Sequence, residues 1–349
     1  MSESQLFSYN YDDKEGLMSA LPLFLFDDFL GTAVWLWLVF ITLVVALLVL
    51  DLGVLHRRPH DIEMRESLLL YSAYFSVGLL FGGWVWLELG AQSALEFYTG
   101  LLVEQSLSMD NVFVMAMIFG FFGIPRRYQH RVLFWGILGV VVLRALMIGL
   151  GSALVQEFDW ILYLFGAFLL FTGLKMLFTR HETHPDLAHN PVIRFVRRHM
   201  RVTDDLHGAR FFVRLKPAGQ PRALLYATPL FLALVLIELA DLVFAVDSVP
   251  AILAITQDPF IVYTSNIFAI LGLRALYFAL AALVHRFVYL KYALALVLIF
   301  IGGKIFAHGL IGKVPPLLSL CVTFGLLAGG VLLSLFKTRT AAEEVKRVE

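Results

Sequence analysis

Apolar residues along this chain come in runs of about 20, the length a helix needs to cross a hydrocarbon core of ~30 Å, and polar residues collect between the runs. Nine runs stand out, at approximately Phe29–Asp51, Leu68–Leu89, Ala94–Phe122, Val132–Leu154, Trp160–Phe178, Ala223–Ile255, Ile261–His285, Leu290–His308 and Pro316–Phe336. In lipid the backbone must satisfy its own hydrogen bonds, so each run predicts a helix and the chain an all-α polytopic membrane protein.

Composition agrees: 60% of the 349 residues are hydrophobic, 15% are charged, and the mean hydropathy is +0.81. Basic and acidic residues balance at 27 each, so net charge points to no nucleic-acid partner. The single cysteine, Cys321, leaves no intramolecular disulfide and no thiolate zinc cage. Residues 1–29 form an acidic leader (Asp12, Asp13, Glu15, Asp27, Asp28) without the basic start of a cleaved signal peptide.

Basic residues then orient the helices, because short loops rich in Lys and Arg stay cytoplasmic. Arg57, Arg58 and Arg65 follow the first run, Arg126, Arg127 and Arg131 the third, an Arg-rich segment the fifth, and Arg286 the seventh. The loops after the second, fourth and sixth runs hold none. An outside N-terminus and a cytoplasmic C-terminus follow.

Three signatures occur twice in the same order. "SMDNVF" at 108–113 matches "AVDSVP" at 245–250, "LRAL" at 143–146 recurs at 273–276, and "FTGLKM" at 171–176 matches "FIGGKI" at 300–305. Arg144 and Lys175 are 31 positions apart, Arg274 and Lys304 30. Each copy holds three helices, and an odd number of crossings makes the second copy enter from the opposite side, so the pattern predicts an inverted three-plus-three repeat. Transporters built this way bind substrate near mid-membrane, where the copies meet. The chain then divides into the leader (1–29), two leading helices (30–92), repeat 1 (93–178), a cytoplasmic Arg/His-rich loop (179–222), repeat 2 (223–309), and a last helix with a cytoplasmic tail (310–349).

The copies also align Glu104 with Asp241, Asp110 with Asp247, and Asn111 with Ser248, and Glu238 is a further carboxylate in the second. A central aspartate costs ~2.5–3.5 kcal/mol to insert, so such groups need compensation. Six residues of regular helix separate Glu104 from Asp110 by about 120° and ~9 Å. Either the helix unwinds, as Pro250 beside Asp247 would favour, or the carboxylates serve successive stations on one path. Two readings compete. In one, Arg144 and Arg274 act as charge partners that neutralise Asp110 and Asp247 and fix packing. In the other, Glu104, Asp110, Asn111, Glu238, Asp241, Asp247 and Ser248 make an all-oxygen cation site, the arginines replacing the charge when the cation leaves. The second is preferred. Oxygen donors suit Mn²⁺, Mg²⁺ or Ca²⁺ over zinc or copper.

Other residues carry less. Asp51 could be a ligand on the way into the site or a solvated helix end. Lys175 and Lys304 near span ends read as snorkelling cations. The histidines of 179–222 fit a polar linker better than a metal-collecting loop, and Met109, Met115 and Met117 read as packing. No motif pairs a nucleophile with a base, so an enzyme is not expected.

The blocks "EQSLSMDNVFV", "FDWILYLFGAFLLFTGLKM", "LLYATPL", "IELADLVFAVDSVPAI" and "DPFIVYTSNIFAILGLRALYF" resemble the hallmark segments of the TerC family of integral membrane proteins, over about residues 30–336. The likeness is to the alkaline-inducible branch of the family. It implies a bacterial inner-membrane exporter of Mn²⁺, linked to metal and alkaline-pH homeostasis and to tellurium resistance, with the seven oxygen-bearing residues above as its site. Gln105 stands where the resemblance implies a basic residue. Protons are the expected counter-ion and the lipid bilayer the expected surroundings. The alternatives are transport of Ca²⁺ or another divalent cation, or a non-transporting membrane scaffold that helps metal loading or tellurium resistance.

Overall fold

The computed structural model describes residues 23–50, 64–158, 160–178, 191–216, 223–280, 289–311 and 314–348. A small compact unit carries a hairpin, β1 (Asp28–Phe29) with β2 (Thr32–Ala33), and then helix α1 (Val34–Leu50). The hairpin turns through Leu30 and Gly31, both at positive φ, and Gly31 N–H donates to Asp28 Oδ1 at 2.7 Å. Trp37 of α1 is buried and donates its indole N–H to Phe29 O at 3.1 Å.

The larger unit is built from α2 (Met64–Phe121), α3 (Arg126–Glu157), α4 (Trp160–Phe178), α5 (Pro191–His199), α6 (Pro229–Leu253), α7 (Pro259–Leu271), α8 (Leu273–Leu280), α9 (Leu290–Ile311) and α10 (Pro316–Val348). A helix is therefore found at each of the nine predicted runs, with changes of boundary: the first run opens in the hairpin and the sixth in a strand (Leu224–Ala227), so their helices start only at Val34 and Pro229. The second and third runs join into α2, broken only at Gly90, whose φ of 89° and ψ of 174° a side chain would resist. The seventh run divides at Gly272 into α7 and α8. Among the described residues, six helical stretches are long and apolar enough to cross a membrane; α1, with 17 residues, is shorter.

Apolar exposure around the bundle is what lipid contact requires. Leu69, Leu80, Leu87, Phe171, Phe178 and Phe336 all stand more than 60% exposed. The stretch Pro259–Ala279 is the exception, with 94% of its apolar window buried against 22–44% in the other spans, and so forms the centre around which the bundle packs. Helix α4 lies along α9, α3 along α6, and α2 along α6 and α8. Close approach of α4 and α9 depends on glycine: a Cβ on Gly173 would meet Ala295 O at 2.8 Å, and one on Gly302 would meet Gly166 O at 2.8 Å.

The segment expected to be a polar linker is in part folded. Its described residues form α5 and strand β3 (Phe212–Leu215), which pairs antiparallel with β4 (Leu224–Ala227) from the run expected to be helical, and Thr228 Oγ1 at the start of α6 donates to Arg210 O at 2.7 Å. Ile193 of α5 is buried with Leu230 of α6, which gives the helix an apolar anchor. His181, His184 and His189 lie outside the described residues, as does Asp51.

Candidate functional site

Residues seven apart on a regular helix differ by only about 20° in direction, whereas residues six apart differ by about 120°. Glu104 and Asn111 on α2 therefore share one face, as do Asp241 and Ser248 on α6. Both faces point at Arg144 of α3, which is 1% exposed. Its Nε donates to Asp241 Oδ2 at 3.2 Å and its Nη2 to Asp241 Oδ1 at 3.1 Å, a forked pair. Nη1 donates to Glu104 Oε1, to Ser248 Oγ at 2.8 Å, and to Asn266 Oδ1 of α7 at 3.3 Å. Asn111 Nδ2 adds a bond to Asp241 Oδ1 at 3.1 Å. One guanidinium thus faces two buried carboxylates, and the knot keeps a formal negative charge.

Helix α6 stays helical through Asp247 to Leu253, so the unwinding anticipated from Pro250 does not occur. Pro250 sits near the C-terminus, where its carbonyl still accepts from Ala254 N–H at 3.0 Å. With the helix regular, Asp247 makes no ion pair with Arg144, whose partners are Glu104 and Asp241. It accepts from Thr172 Oγ1 of α4 at 3.4 Å and lines a cavity of about 310 Å³ with Asn111, Ser248, Arg144, Lys175 and Lys291. Asn111 spends its Nδ2 on Asp241, and its Oδ1 is buried with no hydrogen-bond partner among the described residues. A buried acceptor without a donor is costly, and here it belongs to a residue on the cavity wall.

The remaining predicted residues are placed as follows. Asp110 lies in α2; its side chain is outside the described residues. Glu238 does not line the cavity: its carboxylate folds over Gly139 of α3, where any Cβ would overlap it, and Oε2 has no hydrogen-bond partner. Arg274 on α8 is buried and donates from Nη1 to His130 Nε2 at 3.0 Å, so the two arginines of the duplicated "LRAL" have different surroundings. Gln105 is buried with Nε2 unpartnered. Met115 is in the apolar core, and Met109 and Met117 pack against it. Among the described residues no group of three or more His, Cys, Asp or Glu side chains is gathered closely enough to hold a metal ion.

Sequence reading missed Asn266, Thr172 and Lys291. Asn266 had a signal, since Thr264–Ser265–Asn266 is a polar triplet inside an apolar run and buried polar groups need partners. Thr172 and Lys291 had none, because only the packing of α4 and α9 brings them to Asp247.

The TerC profile, described as an integral membrane protein family, matches residues 89–342. An "Uncharacterized membrane protein" of Rickettsia bellii is 48% identical over 301 residues, 86% of this chain and 97% of that protein. A Myxococcus xanthus membrane protein is 47% identical over 307 residues, 88% and 93% of the two chains. Another relative, from Escherichia coli K12, carries the name "Putative membrane-bound redox modulator Alx" and is 47% identical over 305 residues, 84% of this chain and 91% of that one. No solved structure matches. The match covers both copies of the duplicated signatures and every helix that contributes to the Arg144 knot, and the chain belongs to the TerC family of integral membrane proteins.

Proposed function

We propose that this protein exports a divalent cation, Mn²⁺ in the first place, from the bacterial cytoplasm across the inner membrane in exchange for protons. The observation that carries the reading is the cavity wall. Asp247, the unpartnered Oδ1 of Asn111, Ser248 and Thr172 offer hard oxygen donors of several kinds on one small space. Asp110, aligned with Asp247 by the duplication, would add a further carboxylate, with Glu104 and Asp241 as reserve ligands. Glu238 would bind at an intermediate station reached through Asp241, one turn away on α6.

Charge balance supports exchange. Arg144, Lys175 and Lys291 stand against Asp247, Glu104 and Asp241, so a doubly charged guest enters at low cost only as positive charge leaves. Arg144 acts as the resident counter-ion that holds Glu104 and Asp241 between transport events. Arg274 would do the same in the opposite state.

An inverted repeat provides the motion. Exchanging the two copies interchanges the α2–α8 contact with the α3–α6 contact and returns α4–α9 to itself, the pattern expected of two related halves that rock about α4 and α9. The lone Cys321 supplies no dithiol pair within the chain for redox exchange.

Uptake of radioactive Mn²⁺ into inverted vesicles tests the proposal. Asp247→Asn removes a charged ligand that makes no ion pair with Arg144, and should abolish uptake while the protein stays monodisperse in detergent. Accumulation equal to wild type would refute it. Competition by excess Ca²⁺ separates the cation alternatives, and no uptake in the wild type would leave the scaffold reading.

A further inference from the structure

A second cavity, of about 680 Å³, is lined by four of the same helices, α2, α4, α6 and α9, at a different depth, with α10 in place of α3. On α2 the second cavity reaches Thr99, while the first begins at Leu107; on α4 the corresponding residues are Tyr163 and Thr172. On α6 they are Leu253 and Ser248, and on α9 Lys304 and Leu298. At 1.5 Å per residue these gaps span about 8–14 Å along each helix. The cavities therefore approach each other from the two ends of one channel-like seam and stop short of meeting.

An apolar cluster lies between them, beside the buried Glu104, Gln105 and Ser106 of α2. Val103, Leu169, Ala251 and Ile301 are each at most 2% exposed and join Val297 and Leu298 in one cluster. The backbones of α4 and α9 touch at Gly166 and Gly302, leaving no passage between them. A hydrated divalent ion does not cross such a layer, since stripping its water in a low-dielectric medium costs tens of kcal/mol.

The second cavity is also chemically equipped. Glu96 holds a hydrogen bond from Gln92 Nε2 at 3.0 Å, and Thr99 and Ser319 stand on the wall. Ser319 is 3% exposed, and its Oγ has no hydrogen-bond partner. One carboxylate faced by Lys304 makes a site that receives a cation without retaining it, as release demands.

We infer that this second cavity is the release vestibule for a hydrated divalent cation, shut off from the Asp247 cavity by a plug of Val103, Leu169, Ala251 and Ile301. The inference rests on the proposed export for the identity of the solute and on packing alone for the two compartments. Conduction requires the plug to part, and Val103 and Ile301 set how readily it does.

Single cysteines at Glu96→Cys and Leu107→Cys, in a Cys321→Ser background, bracket Val103 on one helix. In oriented vesicles, a membrane-impermeant thiol reagent should label Leu107→Cys only from the face bearing the C-terminus and Glu96→Cys only from the other. Adding Val103→Ala and Ile301→Ala removes buried apolar volume from the plug and should speed labelling of Glu96→Cys from the C-terminal face about tenfold or more. Labelling of both cysteines from one face, of neither from any face, or an unchanged rate after trimming the plug would overturn the inference. Correct sidedness with no Mn²⁺ flux would uphold the two vestibules and remove the cation reading instead.

Discussion

Replacing Arg144 by methionine would keep much of the side-chain volume and delete the only guanidinium between Glu104 and Asp241. The charge separation is short: Arg144 Nη2 lies 3.1 Å from Asp241 Oδ1, which at an effective dielectric constant near 20 is about 5 kcal/mol of attraction. Glu104 contributes a second attraction of similar size. Most of that gross gain is spent on desolvating three buried charges, and removing one partner of such a set costs a net ~3–5 kcal/mol because the others stay buried without it. Ser248 Oγ and Asn266 Oδ1 lose their donor as well. The expected outcome is a fall in the detergent-solubilised melting midpoint on the order of 10 °C, read from the monodisperse fraction after heating. Arg144→Lys should recover only part of it, since an ammonium does not fork onto Asp241 while reaching Glu104. The triple variant Arg144→Met, Glu104→Gln, Asp241→Asn leaves no charge in the knot and should melt well above Arg144→Met alone. A single variant that melts with the wild type, or a triple variant no better than the single, would show that Arg144 does not compensate these carboxylates.

Adjacent glycines on α9 give an internally controlled test of the α4–α9 seam. Gly302→Ala should cost about 1–3 kcal/mol by forcing backbones apart, whereas Gly303→Ala, with nothing within 4 Å of its added Cβ, should be neutral or slightly stabilising in the same melting assay. Buried Gln129 accepts from Tyr277 Oη at 2.9 Å and donates to Ile124 O at 2.8 Å. Tyr277→Phe should therefore cost about 1–3 kcal/mol by stranding an acceptor, and Gln129→Leu in the same chain should add less than it costs alone, as a double-mutant cycle of melting midpoints would show. Cys321 is exposed, and Cys321→Ser should shift stability by no more than ~0.5 kcal/mol.

Much of the architecture was legible because lipid imposes a simple rule. Apolar runs long enough to span predicted the membrane helices, with boundaries redrawn at Gly90, at Gly272 and where strands open the first and sixth runs. The Arg-rich segment was less legible: its helix α5 and hairpin draw stability from Ile193 and Thr228 reaching α6, contacts that no local pattern announces. In the site, the spacing already placed Glu104 with Asn111 and Asp241 with Ser248, seven apart, on common faces. Reading the carboxylates in six-residue pairs obscured this and made unwinding at Pro250 look necessary.

From the sequence alone came the approximate placement of the apolar helices, the duplicated signatures, and the demand that buried carboxylates find compensation, since each follows from run length and the cost of charge in hydrocarbon. Tertiary structure alone decided that Arg144 takes Glu104 and Asp241 while Arg274 meets His130, that Asp247 faces a cavity with Thr172, and that an apolar cluster gathers between that cavity and a second one. These partners lie 40 to 144 positions apart in the chain, and what joins them is the depth to which α3, α4, α6 and α9 pack, set by where glycine lets backbones touch.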